Sequence, residues 1–316
     1  MKALARTSPD QPASVVDLPD PTAGPNGVRI RVHAASVNGF DVFEANGYLL
    51  AMMPHDLPTV VGRDFAGTVD QVGADRTDVA VGDEVFGFIT TMPPLQVGTF
   101  AELVAEDARL VIVRKPAGLA SATAAAIPLA GSTAVAAVDA SGAGPDRTIL
   151  VIGATGGVGS MAVQLAAQRG ATVIGTAREG DQADWITEIG AAETIDYTTE
   201  DLLEAVRASY PDGVDGLIDA VSRDEAFTAV AALVRDGGHI ATTLGAGDAD
   251  ALAARGITLT KVQGTPTVER LAALAEQVVA GTLRIRIQTT FPLDEAPAAL
   301  AAFAAGTSGK IVLTVG

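Results

Sequence analysis

Residues 148–166 read TILVIGATGGVGSMAVQLA. The first part, TILVIG (148–153), is an unbroken apolar run closed by glycine, the pattern of a buried parallel strand. Beyond it, Val158, Met161, Ala162, Leu165 and Ala166 recur on one helical face, and Gly170 supplies a stop. Gly153, Gly156 and Gly159 lie between this strand and this helix. Glycine there permits a tight turn, and a third glycine lets the helix close on the strand. The free N–H groups at the helix start attract an anion. Alone, the triplet reads as an ordinary turn. Between strand and helix it reads as the pyrophosphate turn of a dinucleotide site, lined by Ala154, Thr155, Gly156, Gly157 and Val158.

Outward from this stretch the alternation continues. ATVIGT, ETIDY, GVDGLIDAV, HIATTLG and GITLTKV read as strands. ADWITEIG, DLLEAVRASY and AFTAVAALVRDGG read as intervening helices. With 148–153 these make six strands, the expectation being a doubly wound Rossmann domain with a parallel six-stranded sheet. The end of the second strand selects the dinucleotide. NAD sites place a carboxylate there for the ribose 2′-hydroxyl. This chain reads Gly175-Thr176-Ala177-Arg178, without a carboxylate and with a cation following. A guanidinium suits a 2′-phosphate, so NADPH is the expected cofactor, although Glu179 and Asp181 lie close by and Arg178 also reads as a solvated surface residue. Tyr197, ending the third strand, is a second candidate beside that phosphate, or a surface aromatic. Ser222, Leu244 and Gly245 fall where strands four and five end, and ligands collect at such strand ends.

Toward the N-terminus the texture is β-rich: MKALART, GVRIRVHAAS, FAGTVDQVG, GDEVFGFI, TFAELVAE and RLVIVRKP are short apolar runs punctuated by Gly, Pro and Asp. The C-terminal tail changes again. Thr265-Pro266 suggests an N-cap and first-turn proline for a helix with Leu271, Leu274, Ala275 and Val278 inward and Gly281 at its end. LRIRIQTTFPL, a helix over EAPAALAAFAAG and a strand KIVLTV follow, and the tail is expected to return to the first domain. Pro116–Val138 carries no charge but is rich in small residues, and it reads as helix packed inside a protein rather than a membrane span.

Composition narrows the function classes. The 316 residues include 21 Lys plus Arg against 38 Asp plus Glu, a net charge of −17. Such a surface repels nucleic acid and anionic membranes, so neither is an expected partner. There is no cysteine, which removes thiol catalysis, disulfides and thiolate metal sites. The N-terminal MKALARTSPD lacks an apolar leader, and the cytoplasm is the expected location.

The motifs AASVNGFD (34–41), VGRDFAGTV (61–69), VGDEVFGF (81–88), PLAGSTA (128–134), VIGATGGVGSMAVQLA (151–166) and GKIVLTV (309–315) occur in one order along the chain. Together they resemble the medium-chain dehydrogenase/reductase superfamily, in its zinc-free quinone oxidoreductase branch. The resemblance implies an α/β architecture: a GroES-like β-rich catalytic domain from residues 1–120 and 264–316, with the Rossmann domain inserted over 121–263. It also implies a cleft between the two and a homodimer. Zinc alcohol dehydrogenases carry a cysteine where this chain has Asn38 and a histidine where it has Arg63, and their four-cysteine lobe is missing here. Amide and guanidinium groups do not replace thiolate and imidazole, so no metal is expected. Thr133 resembles the family threonine near the nicotinamide. Asp41 and Asp64 are shared with the family and are expected to hold loops, with Arg63 pairing one of them. Lys310, in GKIVL, is a candidate cofactor contact or a solvated residue at a strand start.

The chemistry left by these residues is hydride transfer from NADPH to a quinone or an α,β-unsaturated carbonyl, whose conjugation already makes it an acceptor. Asn38 is the first candidate to touch the substrate carbonyl or the nicotinamide ribose, and it also reads as a turn amide. Tyr48 is the candidate proton donor or a rim aromatic; the branch often has tyrosine where this chain has Phe43. An enoyl-thioester reductase of the polyketide type, and a non-catalytic NADPH-binding sensor or structural protein, remain open.

Overall fold

The computed structural model describes residues 1–244 and 247–316, so Gly245 lies outside the described residues. The chain forms two compact units, Met1–Leu129 with Pro266–Gly316, and Ala130–Thr265.

The first unit contains β1 (Lys2–Arg6), β2 (Ser14–Asp17), β3 (Val28–Ser36), α1 (Gly39–Ala45), β4 (Thr59–Val60), β5 (Asp64–Val72), β6 (Glu84–Ile89), β7 (Leu103–Glu106), β8 (Leu110–Arg114) and α2 (Ser121–Ala125). Alternation builds these strands. In β3, Val28, Ile30 and Val32 are buried while Arg31 between them is exposed. β3 pairs antiparallel with β5 and β7, and β5 continues through β6 to β8. β1 is sandwiched between β2 and β4 in a small sheet of its own.

After α3 (Pro128–Ala140), the second unit alternates strictly. It runs β9 (Thr148–Ile152), α4 (Gly157–Gln168), β10 (Thr172–Thr176), α5 (Asp181–Glu188), β11 (Glu193–Ile195), α6 (Leu202–Ser209), β12 (Val214–Asp219), α7 (Asp224–Ala231), β13 (Val234–Thr242), α8 (Ala249–Ala254) and β14 (Thr258–Lys261). Its six strands stand in the order β11-β10-β9-β12-β13-β14, all parallel. The doubly wound sheet expected from the sequence is therefore present, with its order reversing between β9 and β12.

The tail supplies α9 (Val268–Val279), β15 (Ile287–Pro292), α10 (Ala296–Ala304) and β16 (Lys310–Thr314). β16 pairs antiparallel with β3 and parallel with β15. Ile311 and Leu313 share one core with Leu4, Ile30, Phe65 and Phe100, so both chain ends build the first unit.

Several expected boundaries shift. The helix read over 226–238 ends at Ala231 and β13 begins at Val234. Val234 pairs with Val214, and Gly237 at φ +74 lets the chain turn back into the strand. The cap of α9 is Thr267, not Thr265: its hydroxyl accepts the Arg270 N–H at 3.2 Å. Pro266 fits just before that cap, since proline disfavours helix at the residue preceding it. Residues 283–286 do not join β15, because the Leu283 N–H is held by Gln277 O at 3.1 Å as α9 closes. No described helix is long and apolar enough to cross a membrane; Pro116–Val138 is divided between α2 and α3.

Candidate functional site

The second unit carries its candidate site on the carboxyl edge of the parallel sheet. Gly153, at φ +76, turns the chain out of β9, and Gly156 is the N-cap of α4. A Cβ on Gly159 would stand 2.1 Å from the Gly153 carbonyl oxygen, so only glycine lets α4 approach the turn. Ala154 and Thr155 are buried, whereas Gly156, Gly157 and Val158 are half-buried. The Gly153 N–H donates to the Thr176 hydroxyl at 3.0 Å, which ties the turn to the end of β10. Thr176 was not singled out in the sequence; its signal is a hydroxyl in register with β9.

Arg178 is exposed beyond β10. Its guanidinium makes no ion pair within 4 Å and no hydrogen bond to any described residue, which leaves its donors free for a ligand. At the end of β11, Tyr197 is 49% exposed. Beside it Asp196 takes the Glu179 N–H at 2.9 Å and the Thr198 hydroxyl at 2.6 Å. The bond from the Thr198 hydroxyl and those from the Glu179 and Thr198 amides hold the Asp196 carboxyl below the usual carboxylate range, and the Arg178 charge adds to the effect. At the end of β12, the buried Asp219 accepts the N–H groups of Val221 and Ser222 at 2.9 and 2.8 Å, fixing the Ser222 segment. Leu244 follows β13 and is half-buried. Thr133 is buried on α3.

In the first unit, the buried charges form a network. Lys310, at the start of β16, is 4% exposed, so the solvated reading does not hold. Its ammonium donates to Asn38 Oδ1 at 2.6 Å and to Val37 O at 3.1 Å. The Asn38 amide nitrogen donates to Asp64 Oδ2 at 2.9 Å and to Ser36 O at 3.3 Å. Both amide hydrogens thus have acceptors, and donation to a substrate carbonyl would break one of these bonds. Asp64 also accepts the Ser36 hydroxyl at 2.7 Å and the Leu129 N–H at 3.1 Å. Asp41 accepts the Asn38 N–H at 2.8 Å across the first turn of α1. Burial lifts the Asp41 and Asp64 carboxyls and lowers the Lys310 ammonium; Lys310 counters this at Asp64 and both carboxylates counter it at Lys310, while Asp64 and Glu44 lift Asp41 further against the Asn38 N–H and Arg63.

Arg63 pairs with neither expected aspartate. It is fully buried, forms its ion pair with Glu44 on α1, donates to Val97 O at 3.0 Å and lies over the Phe40 ring at 5.2 Å. Asp41 and Glu44 share the inward face of α1, a helix not expected from the sequence. Tyr48 is 64% exposed and packs edge-on against Phe43.

Burial pushes the Glu44 carboxyl up to about 7 even with Arg63 beside it. Removing the guanidinium by Arg63→Met strands a buried carboxylate, and the expected loss of stability is about 3–5 kcal/mol. A folded-state value above the unfolded one means that the fold is favoured by protonation. The variant is therefore expected to lose more at pH 8 than at pH 5, measured by denaturant unfolding; equal losses at both would contradict the assignment.

Comparison with known proteins follows the same division. Residues 24–117 match the family model described as alcohol dehydrogenase GroES-like domain, and residues 157–270 match that described as zinc-binding dehydrogenase. A 2-haloacrylate reductase of Burkholderia sp is 31% identical over 294 residues, 87% of this chain and 86% of that protein. The 2-methylene-furan-3-one reductase of Solanum lycopersicum is 35% identical over 223 residues, 69% of this chain and only 55% of the relative's length. The solved quinone oxidoreductase from Coxiella burnetii superposes with a TM-score of 0.88 at 31% identity, covering 100% of this chain and 99% of that one.

Proposed function

The chain belongs to the medium-chain dehydrogenase/reductase superfamily, in its quinone oxidoreductase branch, and on that premise we propose that it is a zinc-independent, NADPH-dependent reductase of quinones or α,β-unsaturated carbonyls. The observation that carries the cofactor reading is the uncommitted Arg178 guanidinium at the end of β10, one strand over from the glycine turn.

The turn suits a pyrophosphate: Gly153 and Gly159 leave the backbone bare, and the start of α4 offers free N–H groups. Arg178 would take the 2′-phosphate, with Tyr197 beside it, and Ser222 and Leu244 would border the coenzyme beyond the ends of β12 and β13. When bound, NADPH supplies the hydride. Thr133 is a proposed contact near the nicotinamide, and Lys310 a proposed anchor of the network that holds Asn38. Asn38 orients the turn between β3 and α1. Tyr48, whose hydroxyl meets no described partner, is the proposed donor to the acceptor's oxygen.

The name of one matching family model speaks of zinc, yet the donor set does not suit it. The chain has no cysteine, and no three His, Asp or Glu side chains among the described residues are grouped to hold a metal. Asn38 and Arg63 are instead consumed by Lys310, Asp64 and Glu44. The relatives' own acceptors, a haloacrylate and a methylene-furanone by name, are activated alkenes, which supports conjugated substrates here.

The test is NADPH oxidation by the purified chain with 1,4-benzoquinone, an enone and crotonyl-coenzyme A, with and without a chelator. Turnover of quinone or enone, unchanged by chelator, is the expected result. Turnover of the thioester alone, no turnover of any acceptor, or abolition by chelator would each contradict the proposal.

A further inference from the structure

We propose that Asp196 is a positioning residue for the 2′-phosphate clamp, so that coenzyme specificity is set by the end of β11 as well as by the end of β10. This rests on the reading of Arg178 as the phosphate-binding cation.

The Arg178 backbone is flanked by two bonds, one to β11 and one to the residue that follows that strand. The preceding Ala177 N–H donates to Ile195 O at 3.1 Å, and the following Glu179 N–H donates to Asp196 Oδ2 at 2.9 Å. The chain then passes through Gly180, at φ +84, into α5. The Arg178 N–H donates to Gln182 Oε1 at 3.2 Å and its carbonyl accepts the Ala183 N–H at 3.1 Å, so α5 holds the residue as well; the Asp196 bond is the one that ties the outer end of segment 178–180 to the neighbouring strand end. The ribose of a bound dinucleotide lies at these strand ends, so the aim of a single flexible side chain depends on that anchor.

A carboxylate near a phosphate site also repels the ligand. Here that charge is spread over three donors, the Glu179 N–H, the Thr198 N–H at 2.9 Å and the Thr198 hydroxyl at 2.6 Å. Charge-assisted bonds of this kind hold a loop strongly while blunting the field beyond it. Asn at this position would set an amide N–H₂ against one of those donors, leaving an unmatched contact in the clamp.

The experiment uses the full chain and two coenzyme fragments, 2′,5′-ADP and 5′-AMP, titrated by calorimetry against wild type, Asp196→Asn and Thr198→Val. Wild type is expected to prefer 2′,5′-ADP. Asp196→Asn is expected to weaken 2′,5′-ADP about five- to tenfold while 5′-AMP stays within about twofold. Thr198→Val, which keeps the carboxylate, should move in the same direction by less, and it carries the test if the first variant does not fold. Unchanged selectivity, parallel loss of both ligands, or tighter 2′,5′-ADP binding would overturn the proposal while leaving the NADPH reading intact. Absence of any preference in wild type would overturn both.

Discussion

Arg178→Ala is expected to weaken NADPH binding by about tenfold or more while leaving NADH within about twofold. The guanidinium is exposed and has no ion pair or hydrogen bond among the described residues, so its removal breaks no bond inside the fold. The effect is then confined to the group that distinguishes the two coenzymes. Solvent screens an exposed pair, which places the loss near the low end for a charge-assisted bond and makes it shrink as salt rises. Arg178→Lys keeps the charge but loses the planar fork, and an intermediate loss is expected. The chain's −17 net charge sharpens the inference, because its long-range field opposes a phosphorylated ligand and a local cation must overcome it. Equal loss of both coenzymes in Arg178→Ala would place the side chain elsewhere than at the 2′-phosphate.

A second large effect is expected at Gly159. An alanine there brings Cβ to 2.1 Å from the Gly153 carbonyl oxygen and 2.8 Å from the Ala154 Cα. These are backbone atoms, so the clash cannot be relieved by a rotamer. Either α4 withdraws from β9 or the turn opens. Overpacking of this kind costs about 1–3 kcal/mol, and a melting temperature lower by about 3–10 °C is expected. Both coenzymes should weaken together, in contrast to Arg178→Ala, because the pyrophosphate turn is common to them. A Gly159→Ala variant with unchanged melting temperature and unchanged nucleotide affinity would show that α4 does not pack this way.

What could be read from the sequence was local. TILVIG and the glycines after it specify a strand, a turn and a helix within nineteen residues, and the strict alternation that follows leaves few topologies for a parallel sheet. The tail was harder to bound. Thr265 and Thr267 both flank Pro266, and only the hydroxyl bond to Arg270 distinguishes the cap. The buried charges were the least legible. Acidic residues are expected on solvent-facing positions, yet Asp41 and Glu44 face inward on α1 because Arg63 and the Asn38 turn meet them there. Nothing near Arg63 in sequence identifies Glu44 as its partner. Lys310 and Asn38 stand at opposite ends of the chain and meet only because β16 pairs with β3. Asp196 is hidden in the sequence for a related reason: its partner segment belongs to the neighbouring strand, and parallel pairing alone brings the two ends together.

The most direct measurement is calorimetric titration of the purified wild-type chain with NADPH and with NADH at one salt concentration. The account predicts NADPH tighter by about tenfold or more, with the gap narrowing as salt is added. Equal affinities, or a preference for NADH, would contradict it.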